Sequence, residues 1–233
     1  MINNPKKSTS FTFRWLTKIA LIFLAVFFME FSERKETFPE VLSPEDAHAE
    51  LIYGNNRFLD GEMIYTNYHE QIQKTKNGQH PHSFVLSCID SRVPPEIIFD
   101  QGIGNLFVAR VAGNVEDDNI LGSMEYAVEV KHTKLILVLG HSHCGAVQGA
   151  IDNVKLEHLT QLTDQIKPAF SKHNTYPIPE HIAEETSKRN VKLTMKHIYE
   201  NSATIKHLVD EGKVKIVGAY YDIHTGEVHF LKD

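Results

Sequence analysis

Two apolar runs of the strand type stand out along the chain, and each stops abruptly at polar residues. The first lies within residues 83–92 (SFVLSCIDSR) and the second within residues 135–144 (LILVLGHSHC). Their length and their β-branched residues are typical of strands that are buried on both faces. We therefore predict two central strands, each followed directly by a polar loop.

The rest of the chain alternates between strand and helix patterns. Further strands are predicted at residues 106–111, 214–221 and 228–231. Helices are predicted at residues 43–58, 94–100, 122–130, 145–151 and 191–209, the first of them signalled by Ser43, Pro44, Glu45 and Asp46. For the polar residues 152–180 we predict an irregular surface segment. The alternation predicts a single α/β domain with a mainly parallel central β-sheet flanked by helices.

Residues 1–31 have the organisation of a targeting segment. Basic residues up to Lys18 precede eleven consecutive apolar residues at 19–29, and polar sequence follows. This order is typical of a secretory signal, and the apolar run is shorter than the about 20 residues of a membrane span. A small-x-small cleavage site does not follow the run directly. We predict a signal peptide or retained N-terminal anchor at 1–31, and export to a bacterial periplasm.

Charge narrows the choice of partners. The chain of 233 residues has a net charge of −6 and 42% hydrophobic residues, which suits one sizeable globular domain. Residues 1–30 hold four basic residues and one acidic residue, a net of +3, so the remainder carries −9. This acidic balance argues against a nucleic-acid partner. Membrane contact is expected only through the N-terminal segment, if it stays uncleaved.

The chain has only two cysteines, and both lie just past the two central strands. Cys88 follows the first strand, while His141 and Cys144 follow the second. In a parallel sheet, ligands gather at the carboxyl ends of the strands, so these side chains are expected to meet. Two thiolates and one imidazole suit Zn²⁺ with a fourth position left open, which is typical of a catalytic site.

Asp90 and Arg92 complete this candidate site. They are two residues apart, so in extended geometry both side chains point to the same side as Cys88. The guanidinium of Arg92 can hold the carboxylate of Asp90 away from the metal through a bidentate pair. Asp90 is then available to accept a proton.

The motif Cys88-x-Asp90-x-Arg92 followed by His141-x-x-Cys144 resembles the β-class carbonic anhydrases. The resemblance extends from about residue 43 to the C-terminus. It also includes residues 92–96 (RVPPE), 107–114 (FVARVAGN), 122–127 (GSMEYA), 140–145 (GHSHCG) and 218–222 (GAYYD).

The resemblance implies that residues 32–233 are a catalytic domain holding Zn²⁺ through Cys88, His141 and Cys144. The expected activity is the reversible hydration of CO2 to bicarbonate and a proton by zinc-bound hydroxide. Asp90 and Arg92 are implied as catalytic residues, with Asp90 as a fourth zinc ligand in an inactive state.

The resemblance also implies a substrate pocket and an assembly. The pocket would include Gln79, Phe107, Tyr126 and the backbone at Gly145. N-terminal helices would clasp a partner subunit, giving a homodimer or homotetramer.

Two alternatives stay open at this point. The first is an enzyme of the same fold that hydrolyses another heterocumulene, such as carbon disulfide. The second is a non-catalytic zinc or redox protein that uses Cys88 and Cys144 as a thiol pair. Asp90 and Arg92 argue against the second, because a structural or redox site needs no control over a fourth position.

Overall fold

The computed structural model describes residues 43–170 and 179–232, and its centre is a five-stranded sheet. The strands are β1 (Ser83–Ser87), β2 (Leu106–Arg110), β3 (Leu135–His141), β4 (Lys215–Tyr221) and β5 (Val228–Phe230). Their order across the sheet is β2-β1-β3-β4-β5. The first four are parallel, and β5 pairs antiparallel with β4. The prediction of a single α/β domain with a mainly parallel sheet is confirmed.

Helices and short helical turns connect the strands. The α-helices are α1 (Pro44–Asp60), α2 (Tyr68–Thr75), α3 (Pro95–Ile98), α4 (Asp118–Glu125), α5 (Gly145–Ile151), α6 (Glu157–Ile166), α7 (Glu180–Asn201) and α8 (Ala203–Asp210). Short 3₁₀ turns lie at Ala112–Asn114 and Lys167–Ala169, and a π-helical turn at Tyr126–Val130 continues α4. Among the helices of the described residues, none has the length and apolar character that crossing a bilayer requires. The predicted signal or anchor segment at 1–31 lies outside the described residues.

The two central strands are buried along their whole length. Every residue of β1 and of β3 is buried. Alternate side chains enter two separate cores, so that Val85 and Leu137 pack on one face of the sheet while Leu86 and Val138 pack on the other. Burial on both faces is the reason these strands read as continuous apolar runs.

The first helix begins where the sequence signals it. The backbone N–H of Asp46 donates to the Ser43 hydroxyl at 3.1 Å, and the Asp46 carboxylate accepts from the backbone N–H of Ser43 at 3.0 Å. This reciprocal pair is a capping box, which satisfies two backbone donors at the helix start.

Two predictions need correction, and one helix was missed. Residues 152–180 are not irregular throughout, because α6 occupies Glu157–Ile166 and buries Thr163 and Ile166. Its few apolar residues lie at helical spacing but are outnumbered by polar residues that face solvent. The predicted helix at 191–209 is two helices, of which α7 begins eleven residues earlier, at Glu180. The sequence pattern also missed α2.

Candidate metal centre

The fold brings Cys88, His141 and Cys144 together at the carboxyl edge of the sheet. Because β1 and β3 are parallel neighbours with Ser87 opposite Leu139, the residues that follow them emerge side by side. The candidate ligand atoms of the three side chains all lie within 4.8 Å of one another. All three residues are buried, with 4%, 0% and 6% of their surface exposed.

The donor set of this cluster fits a zinc ion. The two sulfur atoms lie 4.0 Å apart, close to the about 3.8 Å that tetrahedral Zn–S bonds of about 2.3 Å require. His141 Nδ1 lies 2.8 Å from the carbonyl oxygen of Ser142, which can only accept, so Nδ1 carries the proton. The lone pair is therefore on Nε2, which is buried and has no hydrogen-bond partner among the described groups. A bond to a metal ion would satisfy this buried nitrogen.

The contact between the two thiols shifts their pKa values in opposite directions. The hydrogen bond with Cys144 lowers the pKa of Cys88, and the backbone N–H of Gly113 also donates to the Cys88 sulfur at 3.4 Å. The same interaction with Cys88, together with burial, raises the pKa of Cys144. A zinc ion held by both sulfur atoms would require both as thiolates, so metal binding would release protons from this pair.

Arg110 fixes the loop that carries Cys88 and Asp90. Arg110 lies opposite Ser87 in the pairing of β2 with β1. Its Nε donates to the carbonyl oxygen of Cys88 at 2.9 Å, and its Nη2 donates to the carbonyl oxygen of Asp90. Sequence reasoning missed this role, because it depends on the register of two strands.

The long helix α7 supports the cluster from behind. Its Ser187 hydroxyl donates to the carbonyl oxygen of His141 at 3.1 Å, and its Asn190 side-chain amide donates to the carbonyl oxygen of Gly113 at 2.8 Å. Gly113 has φ +71, and a Cβ added there would lie 2.5 Å from a methyl carbon of Ile166. Glycine is therefore required where the chain passes the Cys88 sulfur.

Asp90 and Arg92 form a bidentate ion pair beside the cluster. Arg92 Nε and Nη2 donate to the two carboxylate oxygens of Asp90 at 2.9 and 2.7 Å. This pairing holds the pKa of Asp90 well below its usual range. The extended geometry predicted for these residues is wrong, since the backbone N–H of Arg92 also donates to Asp90 Oδ1 at 3.0 Å and closes a turn.

The residues predicted for the substrate pocket are not all close to the cluster within this chain. Gly145 directly follows Cys144 at the start of α5. Phe107 instead pairs in register with Phe84, four residues before Cys88, which corresponds to about 13 Å along the strand.

Tyr126 and Gln79 also lie elsewhere. The ring of Tyr126 packs edge-on against Phe107, with centroids 6.1 Å apart. Gln79 is exposed in the loop before β1. The structure thus groups Phe107 with Tyr126, but it does not bring either ring to the cluster.

The mainly parallel sheet, with buried cysteine and histidine side chains at its carboxyl edge, defines an α/β protein with a candidate metal centre. Comparison with known proteins makes this class specific. The family model described as carbonic anhydrase matches residues 83–228. Carbonic anhydrase 2 of Mycobacterium tuberculosis is 33% identical over 190 residues, covering 79% of this chain and 91% of the relative. The carbonic anhydrase of Mycolicibacterium smegmatis is 33% identical over 192 residues, covering 80% and 92%.

A solved structure supports the same family. A tetrameric β-carbonic anhydrase from the fungus Sordaria macrospora has a TM-score of 0.65 and 26% identity, covering 78% of this chain and 95% of its own. The chain belongs to the β-class carbonic anhydrase family and is an enzyme of that class.

Proposed function

We propose that this protein is a zinc enzyme that catalyses the reversible hydration of CO2 to bicarbonate and a proton. The observation that carries the proposal is the buried donor set of Cys88, His141 and Cys144 beside the arginine-held carboxylate of Asp90. Family membership supports the reaction. The donor set supports the metal.

The three side chains would hold zinc as two thiolates and one neutral imidazole. A zinc ion bound there supplies a Lewis acid that lowers the pKa of a coordinated water molecule, so that a nucleophile forms near neutral pH. Two hydrogen bonds orient His141 for this role. Its Nδ1–H donates to the carbonyl oxygen of Ser142, and its carbonyl oxygen accepts from the Ser187 hydroxyl. The chain thus fixes both the tautomer and the position of the imidazole.

Asp90 would accept a hydrogen bond from the reacting water and orient it. Its lowered pKa keeps the carboxylate ionised, and an ionised carboxylate is an acceptor only. Arg92 holds both oxygens, so the carboxylate is turned toward the guanidinium rather than toward the cluster. If this pair opened, Asp90 would be free to become a fourth metal ligand, which is the inactive state that the sequence resemblance implies.

A second copy of the chain would complete the substrate pocket. Phe107 and Tyr126 lie too far from Cys88 to contact a substrate there within the same chain, yet Tyr126 is 46% exposed and available to a neighbour. The exposed side chains of Ile52 and Tyr53 on α1 offer apolar surface for the same contact. We propose a homodimer or homotetramer with Gln79 and Gly145 as further substrate contacts. The relative from Sordaria macrospora is tetrameric.

The proposed location depends on the sequence of residues 1–31. The basic stretch and the apolar run that follow one another there support export from a bacterial cytoplasm, with the segment either cleaved or kept as an anchor.

The test combines zinc content with CO2 hydration measured by stopped flow. The purified protein should contain about one zinc per chain and hydrate CO2. His141→Asn should lose both properties, whereas His158→Asn, which changes an exposed histidine on α6, should keep both. A His141→Asn variant with full zinc and most of its activity would contradict the assignment. Zinc-loaded protein that hydrolyses carbon disulfide but does not hydrate CO2 would favour the alternative reaction.

A further inference from the structure

His143 and His224 form an exposed pair of imidazole rings beside the cluster of Cys88, His141 and Cys144, called the Cys88 cluster below. Their Nε2 atoms lie 2.9 Å apart. The ring centroids are 4.9 Å apart, and the ring planes make an angle of 89°. His143 lies in the loop between β3 and α5, and His224 lies in the turn between β4 and β5. Two separate loops therefore supply one pair of nitrogen donors.

Hydrogen bonds hold these two loops against each other. The backbone N–H of Ser142 donates to the carbonyl oxygen of Tyr221 at 3.0 Å, and the Ser142 hydroxyl accepts from the backbone N–H of Ile223 at 2.9 Å. The backbone N–H of His224 in turn donates to Asp222 Oδ1 at 2.8 Å. Because the residues flanking both rings are fixed, the nitrogen pair is preorganised, and a ligand would not have to order two separate loops.

We propose that His143 and His224 together bind a divalent late transition cation, Cu²⁺ or Ni²⁺. Metal–imidazole bonds are about 2.0–2.1 Å long. Two nitrogens bound to one metal therefore lie about 2.9 Å apart when the nitrogen–metal–nitrogen angle is 90°, and about 3.4 Å apart when that angle is tetrahedral. The observed separation of 2.9 Å matches the 90° arrangement. Square-planar and tetragonal sites with nitrogen and oxygen ligands are those that Cu²⁺ and Ni²⁺ prefer. The cation would bridge the two nitrogens in place of their hydrogen bond.

The surroundings of the pair favour a cation. The two rings line a cavity that is also lined by Asp222 and Glu184. The Glu184 carboxylate is paired with Lys188 at 2.6 Å, and Asp222 Oδ1 accepts from the backbone N–H of His224 at 2.8 Å. These carboxylates add negative charge to the cavity, but neither is assigned as a ligand, because among the described residues only Cys88, His141 and Cys144 bring three candidate ligand atoms within 4.8 Å of one another. Water molecules would fill the remaining positions. Cys144 lines the same cavity, so this cation would share the cavity with the Cys88 cluster while using different side chains.

The experiment titrates Ni²⁺ into untagged, zinc-loaded protein by isothermal calorimetry, with zinc and nickel counted afterwards. One Ni²⁺ should bind per chain while the zinc is retained. His224→Asn and His143→Asn should each weaken Ni²⁺ binding by about tenfold or more, since loss of even an outer partner costs about 10–100-fold in metal affinity. Asparagine suits position 143, where φ is +53, because it tolerates the left-handed conformation. The matched control is His158→Asn on α6, which should bind Ni²⁺ like the unchanged protein.

An independent measurement guards against a variant that fails to fold. In the unchanged protein, paramagnetic Ni²⁺ should broaden the imidazole NMR signals of His143 and His224 before those of other histidines. The proposal is overturned if both variants bind Ni²⁺ as tightly as the unchanged protein, if Ni²⁺ binds only as zinc is released in equal amount, or if other histidine signals broaden first.

Discussion

Removing the side-chain amide of Asn190 should weaken zinc binding although this amide makes no hydrogen bond to a candidate ligand. Asn190 Nδ2 donates to the carbonyl oxygen of Gly113 at 2.8 Å, and the N–H of Gly113 donates to the Cys88 sulfur at 3.4 Å. Asn190→Ala leaves the buried carbonyl oxygen without this donor, which should lower the free energy of unfolding by about 1–3 kcal/mol. The displaced Gly113 should then lower zinc affinity by about 10–100-fold, the usual cost of losing an outer partner of a metal site.

Two measurements separate the local effect from a general loss of stability. Zinc affinity is obtained by competition with a chromophoric chelator, and stability by denaturant unfolding of the zinc-loaded protein. The control is Thr186→Ala on the same helix, which removes a buried hydrogen bond of 2.7 Å to the carbonyl oxygen of Ile182. Because the carbonyl oxygen of Ile182 keeps its helical N–H donor, this variant should lose less stability than Asn190→Ala, and it should keep its zinc affinity. Equal zinc affinity in Asn190→Ala and the unchanged protein, or equal losses in both variants, would refute the reasoning.

Three further outcomes are expected. Asp90→Asn should keep its zinc and lose about 100-fold or more of its CO2 hydration rate, since a neutral amide is a weaker hydrogen-bond acceptor than a carboxylate; near-normal turnover by stopped flow would exclude Asp90 from this role. The sulfur atoms of Cys88 and Cys144, now 4.0 Å apart, must approach to about 2.05 Å to form a disulfide. Alkylation should therefore find both thiols protected from air oxidation in the zinc-loaded protein and oxidised after chelation; free thiols after prolonged aeration of the stripped protein would contradict this. Burial lowers the pKa of His82, so its contribution to stability is complete above the usual pKa of 6.5 and is lost as the pH falls below it. The loss of unfolding free energy on acidification should be smaller in His82→Gln than in His158→Gln, an exposed control, and identical slopes would show that His82 has no such effect.

The sequence alone was sufficient to predict the sheet and the three side chains that meet in the candidate metal centre. The central strands are buried on both faces, so their apolar runs are unbroken and both end within a residue or two of the candidate ligands. With only two cysteines in the chain, the sulfur donors were fixed by composition. Local signals also sufficed for the start of α1, because a capping box is made by residues within one helical turn.

Helices with weak amphipathic patterns could not be predicted in this way. The apolar residues of α6 are few, and its place is set by the burial of Ile166 against the side chains around Cys88 and Cys144. The residues in that contact are far apart in the sequence, so the hydrophobic pattern within the helix alone does not predict it.

Only the tertiary structure decided how the site is supported. Arg110 reaches the loop of Cys88 because β2 pairs with β1 in one particular register, and Asn190 reaches Gly113 because α7 crosses behind the sheet. The separation of Phe107 from the cluster likewise follows from strand register. Motif spacing determines which donors are present, but register and packing determine which of them meet, since both depend on the whole chain burying its apolar faces at once.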